Sequence, residues 1–301
     1  MTVDAQIKGG LSKMSWVSID KEKCTECGIC AVRCPLCFVQ QNGATVAFAS
    51  ENNCSLCGHC VALCPGEAIV HRKMNMSNFP EGGGATFETE TFIRFIRERR
   101  SHRHFKDKAI PGGVLEQLVD VCRYAPTGGN EQTVEVIVVL DPKRRQTLSD
   151  LTVDFFIEMG GAAEKILEDP SSEAGETMIA PESLQILAHY KNRLSMARAA
   201  GYDPILYKAP AVFIFHSPTY TRTPKDNCVI ASTTMALTAR TMGLESTYIG
   251  LLEMASKAYQ PLAEELKLPP RHEVYSVVIM GYPRLKFLKA VDRKSLKVRW
   301  E

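Results

Sequence analysis

Nowhere in the 301 residues does an apolar run approach the roughly 18 to 20 residues needed to span a bilayer. Residues 1–15 are polar and hold no signal-peptide core, so the sequence predicts a cytoplasmic protein with no membrane partner. Charge of one sign is missing too. Thirty-six Lys and Arg face 34 Asp and Glu, a formal net charge of +2, which argues against a nucleic-acid footprint. No Gly-x-Gly-x-x-Gly follows a predicted strand, and the three glycines at 82–84 do not fit that context, which excludes a dedicated dinucleotide-binding domain. Cysteine is almost absent beyond residue 80: only Cys122 and Cys228 occur there, both on apolar helical faces, where a packed thiol is expected rather than a nucleophile.

What is present is concentrated at the other end. Nine of the eleven cysteines fall within residues 1–80, and a reduced compartment makes metal ligation a better reason for such crowding than disulfides. Residues 24–35 and 54–65 repeat one another at an offset of 30: Cys24-Thr-Glu-Cys27-Gly28-Ile-Cys30-Ala-Val-Arg-Cys34-Pro35 against Cys54-Ser-Leu-Cys57-Gly58-His-Cys60-Val-Ala-Leu-Cys64-Pro65. The spacing C-x2-C-x2-C-x3-C-P suits cubane iron-sulfur clusters, because a tight loop can bend three thiolates around one cube and a distant cysteine must close the fourth corner. Zinc held by CxxC pairs is the rival, and zinc sites seldom add a third cysteine two residues on and then repeat the run. Cys37 is surplus to both runs and reads as a buried thiol beside a cluster. His59 could donate to cluster sulfur or be an ordinary solvated histidine.

Over about residues 17–72 the sequence resembles bacterial two-cluster ferredoxins. In that arrangement the fourth cysteine of each run serves the other cluster. The resemblance therefore implies one 4Fe-4S cluster on Cys24, Cys27, Cys30 and Cys64, and a second on Cys54, Cys57, Cys60 and Cys34.

Pro80 and the glycines that follow Asn78-Phe79 read as a linker, placed at about residues 78–87, between a head of residues 1–80 and a body of residues 88–301. In the body, helical and strand signals alternate, which favours an α+β or α/β fold. Residues 91–99 place Phe92, Ile93 and Ile96 on one helical face, and a second helix opens after Pro111 with Val114, Leu115, Leu118, Val119 and Cys122 on its apolar side. Both are expected to bury that side. Strands are predicted at 134–140, 211–216 and 274–280, the last two central because they are almost continuously apolar. A long helix is expected over 225–242, ended by Gly243. Residues 151–205 read as helical pieces around a loop at 169–172, forming a mobile cover from which Met196 and Tyr202 either reach a substrate or simply pack.

One segment, Arg97-Glu98-Arg99-Arg100-Ser101-His102-Arg103, gathers cations and a hydroxyl at a helix end and could grip phosphate, although a solvated basic face looks the same in sequence. Beyond it come Ala125-Pro126-Thr127-Gly128-Gly129-Asn130-Glu131-Gln132, then Gly243-Leu244-Glu245-Ser246-Thr247-Tyr248-Ile249-Gly250, then Gly281-Tyr282-Pro283 and Arg293-Lys294. In that order these motifs resemble the nitroreductase-like family of FMN flavoproteins over about residues 88–301. The resemblance implies an α+β fold, an intertwined homodimer and FMN at the subunit interface. It assigns Arg99, Arg100, Ser101, Arg103 and Arg293 to the phosphate and ribityl chain. It places Asn130 and Gln132 at the polar edge of the ring, with Pro126, Thr127 and Gly128 lining the same turn, and Tyr248, Ile249 and Gly250 near the reactive ring nitrogen. Thr133-Val134 stands where many members have Pro-Trp, a departure beside the flavin.

The functional expectation is an FMN-dependent oxidoreductase of anaerobic type, with flavin-centred chemistry and no catalytic side chain of its own. Electrons would pass from a low-potential donor such as ferredoxin through two clusters to FMN and on to a nitroaromatic, quinone or activated alkene. Two alternatives stand beside it. In one, NAD(P)H is oxidised and electrons leave through the clusters to a redox partner; in the other, the chain is a non-catalytic electron-transfer module.

Overall fold

A computed structural model describes residues 16–41, 45–48, 51–79, 82, 84–169 and 180–301. The chain divides into two compact units, residues 1–86 and 87–301. The predicted loop at 170–172 and part of the predicted linker lie outside the described residues.

The smaller unit is built on its repeat. Strand β1 (Val17–Ile19) pairs antiparallel with β4 (Ile69–His71), so the chain leaves the unit alongside the place where it enters. Between them β2 (Phe38–Gln41) pairs with β3 (Thr45–Phe48). Each cysteine run contains one short helical turn, α1 (Ile29–Arg33) or α2 (His59–Ala62), which carries its third cysteine. The two runs share a backbone as well as a spelling. Glu26 and Leu56 both have φ 53°, and Gly28 and Gly58 have φ 70° and 71°. Glycine is needed at the second of these positions, because a left-handed residue there turns three thiols toward one point.

The larger unit is an α+β sandwich around one four-stranded antiparallel sheet, ordered β5-β6-β8-β7. These strands are β5 (Glu135–Val139), β6 (Ala211–Pro218), β7 (Glu245–Tyr248) and β8 (His272–Gly281). Every residue of β6 is buried, as the continuous apolar run requires of a strand covered on both faces. On one face Val212, Ile214, Val277 and Ile279 pack under α5 (Pro142–Glu168), α8 (Gly250–Ala258) and α9 (Gln260–Leu266). On the other, Phe213, Phe215, Val278 and Met280 pack with α4 (Gly112–Cys122) and α7 (Pro224–Thr241). Helix α7 ends where the sequence says it should, with Gly243 at φ 76°. Cys228 is fully buried and Cys122 half-buried, its thiol donating to the Leu118 carbonyl.

Two expectations need correction. The first helix, α3 (Thr89–Glu98), is well capped by Glu88, whose carboxylate accepts from the Glu90 and Thr91 amides at 3.0 and 2.7 Å. Its apolar stripe is nevertheless not buried: Phe92 is 46% exposed and Ile96 41%. An apolar face demands cover, yet periodicity does not say that the cover belongs to the same chain. Secondly, the stretch read as a cover contributes to the core. Helix α5 is continuous for 27 residues and buries Leu148, Val153 and Phe156, while α6 (Pro181–Ala199) crosses it and buries Leu184 and Leu194. Met196 and Tyr202 are exposed, at 74% and 46%.

The crossing of α5 and α6 generates a stability prediction. A Cβ on Gly160 would sit 2.4 Å from Lys191 Cβ and 2.7 Å from the Leu187 carbonyl oxygen, whereas one on Gly161 meets nothing within 4 Å. Chemical denaturation should show Gly160→Ala destabilised by about 1–3 kcal/mol through overpacking, despite the better helix former. Gly161→Ala should be stabilised by up to about 1 kcal/mol. Equal effects at the two positions would mean that the helices do not touch at Gly160.

Candidate functional site

In the smaller unit, Cys24, Cys27, Cys30 and Cys64 line one small cavity of about 20 Å³ together with Gly28. Antiparallel pairing of β1 with β4 is what brings the second run's last cysteine to the first run's loop. The sulfurs already collect donors. The Ala68 amide donates to Cys64 Sγ at 3.3 Å, and the Ile29 amide and Thr25 hydroxyl donate to Cys27, holding its thiol below the usual range. On the other side, burial pushes the Cys60 thiol up to about 11, with Cys57 and Cys54 close enough to add to the rise. A thiol such as that of Cys60, which burial keeps from ionising on its own, fits a cationic iron core that would supply the missing positive charge.

Cys37 is 1% exposed and its thiol is pushed up to about 12 by burial, then by a hydrogen bond with Cys34 and the nearness of Cys54 and Cys60. It sits as a protonated neighbour of the second cysteine group. His59 is exposed, and its Nδ1 accepts from the Arg33 guanidinium at 2.5 Å. The histidine that does approach a sulfur is one the sequence reading passed over. His71 is fully buried, its Nδ1 accepts from the Lys73 amide at 3.3 Å, and its Nε2 lies 3.5 Å from Cys54 Sγ. With Nδ1 accepting, the ring proton sits on Nε2 and donates to sulfur. The period-two alternation of Ile69-Val70-His71 was the available signal, since it puts His71 on the buried side with Ile69.

In the larger unit a cleft of about 180 Å³ is lined by Arg103, Tyr190, Arg193, Tyr207, Tyr248, Ile249 and Gly250, among others. Its far wall is fixed by buried Asp203, whose carboxylate accepts from Ser149 Oγ at 2.6 Å and from the amides of Ile205, Leu206 and Lys208 at 3.1, 2.9 and 2.9 Å. That clamp holds Tyr207 and Lys208 in left-handed backbone, φ 54° and 53°, and presents the Tyr207 ring 5.7 Å from the Arg103 guanidinium. On the near side the Ile249 amide donates to the Val277 carbonyl at 2.9 Å, and Tyr248 Oη lies 2.9 Å from Thr233 Oγ1. Gly250 opens α8, so the positive end of that helix faces the cleft.

The segment carrying Arg103 is tied down by its neighbours. The His102 amide donates to the Ser246 carbonyl at 3.1 Å, and its ring lies 3.7 Å from the Glu245 carboxylate, which the Arg240 guanidinium meets at 3.0 Å. Burial lowers the His102 pKa, with Glu245 opposing and Arg240 and Arg99 reinforcing the shift. Arg100 is buried and donates to the carbonyls of Arg97, Arg99 and Val291 at 2.7, 2.5 and 3.2 Å. Arg99 and Ser101 are half-buried, Arg103 is exposed, and Arg293 lies exposed in the C-terminal stretch, lining neither this cleft nor the next.

Thr127 and Gln132 line a separate cleft of about 260 Å³ beside Cys122, Val134 and Phe215. The turn that carries Pro126, Thr127, Gly128, Asn130 and Gln132 is rigid. Asn130 and Gln132 hold φ 58° and 52°, the Gln132 amide donates to Thr127 Oγ1 at 3.1 Å, and the Gly128 amide donates to Asn227 Oδ1 at 3.0 Å. A side chain at Gly128 would collide with Arg222 and Thr223, which pack 2.9 Å from that point. The two clefts have no lining residue in common. A further cleft of about 520 Å³ is lined by residues from 98–106, 240–245 and 283–290 and includes none of the expected site residues.

Comparison with known proteins matches both units. A 4Fe-4S binding domain model matches residues 17–36, and a nitroreductase family model matches residues 96–282. A ferredoxin of Methanothermococcus thermolithotrophicus is 40% identical over 56 residues, 18% of this chain and 93% of that protein. An Archaeoglobus fulgidus protein provisionally named NADH dehydrogenase/NAD(P)H nitroreductase is 27% identical over 207 residues, 68% of this chain and 93% of its own length. A nitroreductase of Bacteroides fragilis, crystallised with bound FMN, superposes with a TM-score of 0.50 at 21% identity, covering 69% of this chain and 98% of that one; the likeness is one of fold. With more than half of its length matched by that family's model, the chain belongs to the nitroreductase family, and it carries a 4Fe-4S binding region ahead of the nitroreductase domain.

Proposed function

We propose that the protein is a flavin oxidoreductase in which two 4Fe-4S clusters deliver electrons from a low-potential donor to FMN, for reduction of an electrophilic organic acceptor. The observation that carries the reading is the meeting of Cys64 with Cys24, Cys27 and Cys30 in one cavity, because crossed ligation leaves Cys34 to complete a second set with Cys54, Cys57 and Cys60. FMN would accept or give two electrons, and each cluster would pass one, so two clusters match one flavin turnover.

The chain's own residues would bind and orient. Arg103 and the N-terminal turn of α8 offer positive charge to the cofactor, and Tyr248, Ile249 and Gly250 lie in the same cleft. At about 180 Å³ this cleft is smaller than the roughly 300–1,000 Å³ of typical ligand pockets, so one chain supplies only part of a flavin site. Thr127 and Gln132, in the second cleft, are suited to supplying the rest from a second copy, with Asn130 on the same turn. A homodimer is favoured by the exposed stripe of α3 and by the C-terminal stretch, where Leu288, Leu296 and Trp300 are 88%, 87% and 91% exposed. Among the described residues no helix is long and apolar enough to cross a membrane. The A. fulgidus relative's name favours NAD(P)H as the donor, the starting point of a second reading in which electrons would leave through the clusters.

Three experiments test these assignments. Anaerobically purified protein should hold about eight irons per chain, and Cys64→Ser should perturb the EPR signal of the cluster on Cys24, Cys27 and Cys30. Loss of only the other cluster's signal would contradict crossed ligation. Arg103→Ala should weaken FMN by about 1.5–3 kcal/mol, roughly ten- to a hundredfold in Kd by fluorescence titration; unchanged affinity would move the phosphate elsewhere. Residues 87–301 expressed alone should fold and bind FMN, reduce nitroaromatics once chemically reduced, and lose turnover with reduced ferredoxin. Retained ferredoxin-driven turnover would refute the wiring, whereas full NAD(P)H-driven flavin reduction would favour the outward direction.

A further inference from the structure

At one end of the larger unit's sheet, three neighbouring strands place ligand-bearing side chains on one face. Glu135 opens β5 and is the Cα partner of His216 on β6, and His272 opens β8 opposite Pro218. Alternation carries the argument. Ile137 and Val139 pack in the same core as Val212, Ile214 and Val274, so Glu135, His216 and His272, each two residues from one of these, project to that side. The register of β6 against β8 shifts between Phe215 and His216, a bulge of the kind that re-aims a side chain.

The donor atoms converge. His216 Nδ1 and His272 Nδ1 are 2.9 Å apart, His216 Nε2 is 4.0 Å from the Glu135 carboxylate, and one ligand atom from each residue lies within 4.8 Å of the other two. Two nitrogens bound to one zinc at about 2.0–2.1 Å stand roughly 2.9–3.4 Å apart for right-angle to tetrahedral geometry, so the imidazole pair is already at ligand spacing. The His216 side chain is 4% exposed and that of Glu135 56%, which leaves the carboxylate free to swing onto a cation held by the histidine pair. Imidazole and carboxylate together suit zinc and its first-row neighbours better than calcium or magnesium.

We propose that Glu135, His216 and His272 form a binding site for one divalent transition cation of the zinc type, separate in sequence and chemistry from the cysteine sets. Three protein donors leave a position for water, and the cation ties together the ends of β5, β6 and β8, next to the rigid turn at 126–132.

The test uses the full-length, cluster-loaded protein under anaerobic conditions. After incubation with stoichiometric zinc and removal of the free ion, elemental analysis should find one zinc per chain with iron unchanged. A hundredfold excess of zinc over its Kd should raise the melting temperature by about 5–10 °C. His272→Ala, a change at a half-buried strand end, should abolish both zinc uptake and the zinc-dependent rise in melting temperature, and Glu135→Gln should weaken uptake at least tenfold. His216→Ala adds a second probe but risks the fold. No zinc uptake by the wild type would show the pair to be hydrogen-bonded histidines only, and equal uptake by wild type and His272→Ala would assign the zinc to cysteine; either result overturns the proposal.

Discussion

The larger unit depends on a single strand that cannot be exposed on either side. All eight residues of β6 are buried, with Val212 and Ile214 feeding one core and Phe213 and Phe215 the other. Each fully buried side chain of that size contributes about 1.5–3 kcal/mol, so both helical layers are required for the strand to exist at all. Its neighbours then become positioning devices. Pairing β5 with β6 sets where the turn at 126–132 ends, and pairing β7 with β8 sets where Tyr248, Ile249 and Gly250 emerge. Residues 99–103 in turn follow β7, because the His102 amide is bonded to the Ser246 carbonyl and its ring lies 3.7 Å from the Glu245 carboxylate.

In the smaller unit the constraint is electrostatic. Burial raises the Cys60 thiol to about 11, and Cys37, deeper still, to about 12. Such groups ionise only against compensating charge, which a cluster's irons would give to Cys60 and would not give to an unligated Cys37. Donors around the sulfurs lean the same way: backbone amides at Cys27 and Cys64, and the His71 ring at Cys54. The donor at Cys54 is a histidine, whereas the repeat has Gln41 at the position 30 residues earlier. Two copies of one motif can therefore differ in their electron affinity through a residue outside both runs.

Much of this was legible because it is local. Ligand spacing, the glycines at φ 70° and 71°, the apolar runs of β6 and β8, and the Gly243 end of α7 are all encoded within a few residues of where they act. What escaped is set by distant partners. Strand β7 reads Glu-Ser-Thr-Tyr, a polar string whose membership in the sheet comes from its partner β8 and from Arg240 holding Glu245. Arg100 looks like Arg103 in the sequence, yet its guanidinium serves three backbone carbonyls, one of them 191 residues away. The Glu135, His216 and His272 group spans 138 positions and has no motif at all; only the register of three strands assembles it.

The apolar stripe of α3 poses the same problem across chains rather than within one. A helix with Phe92 and Ile96 nearly half exposed has a face that folding of one chain leaves uncovered, and the stretch after Pro283 presents Leu288, Leu296 and Trp300 to solvent. The two clefts that hold the expected flavin contacts are likewise separate in one chain. On the proposed reading, a second copy related by a twofold axis would answer both needs with one interface, because a patch that must be covered on one protomer would also be the patch that covers its partner. On the proposed reading, cofactor binding and assembly are linked by mass action: a flavin touching both copies stabilises the pair by as much as the pair improves the flavin site. The cost of leaving α3 and the C-terminal stretch apolar would then be offset in the assembled protein, which is where the proposed cofactor site would become complete.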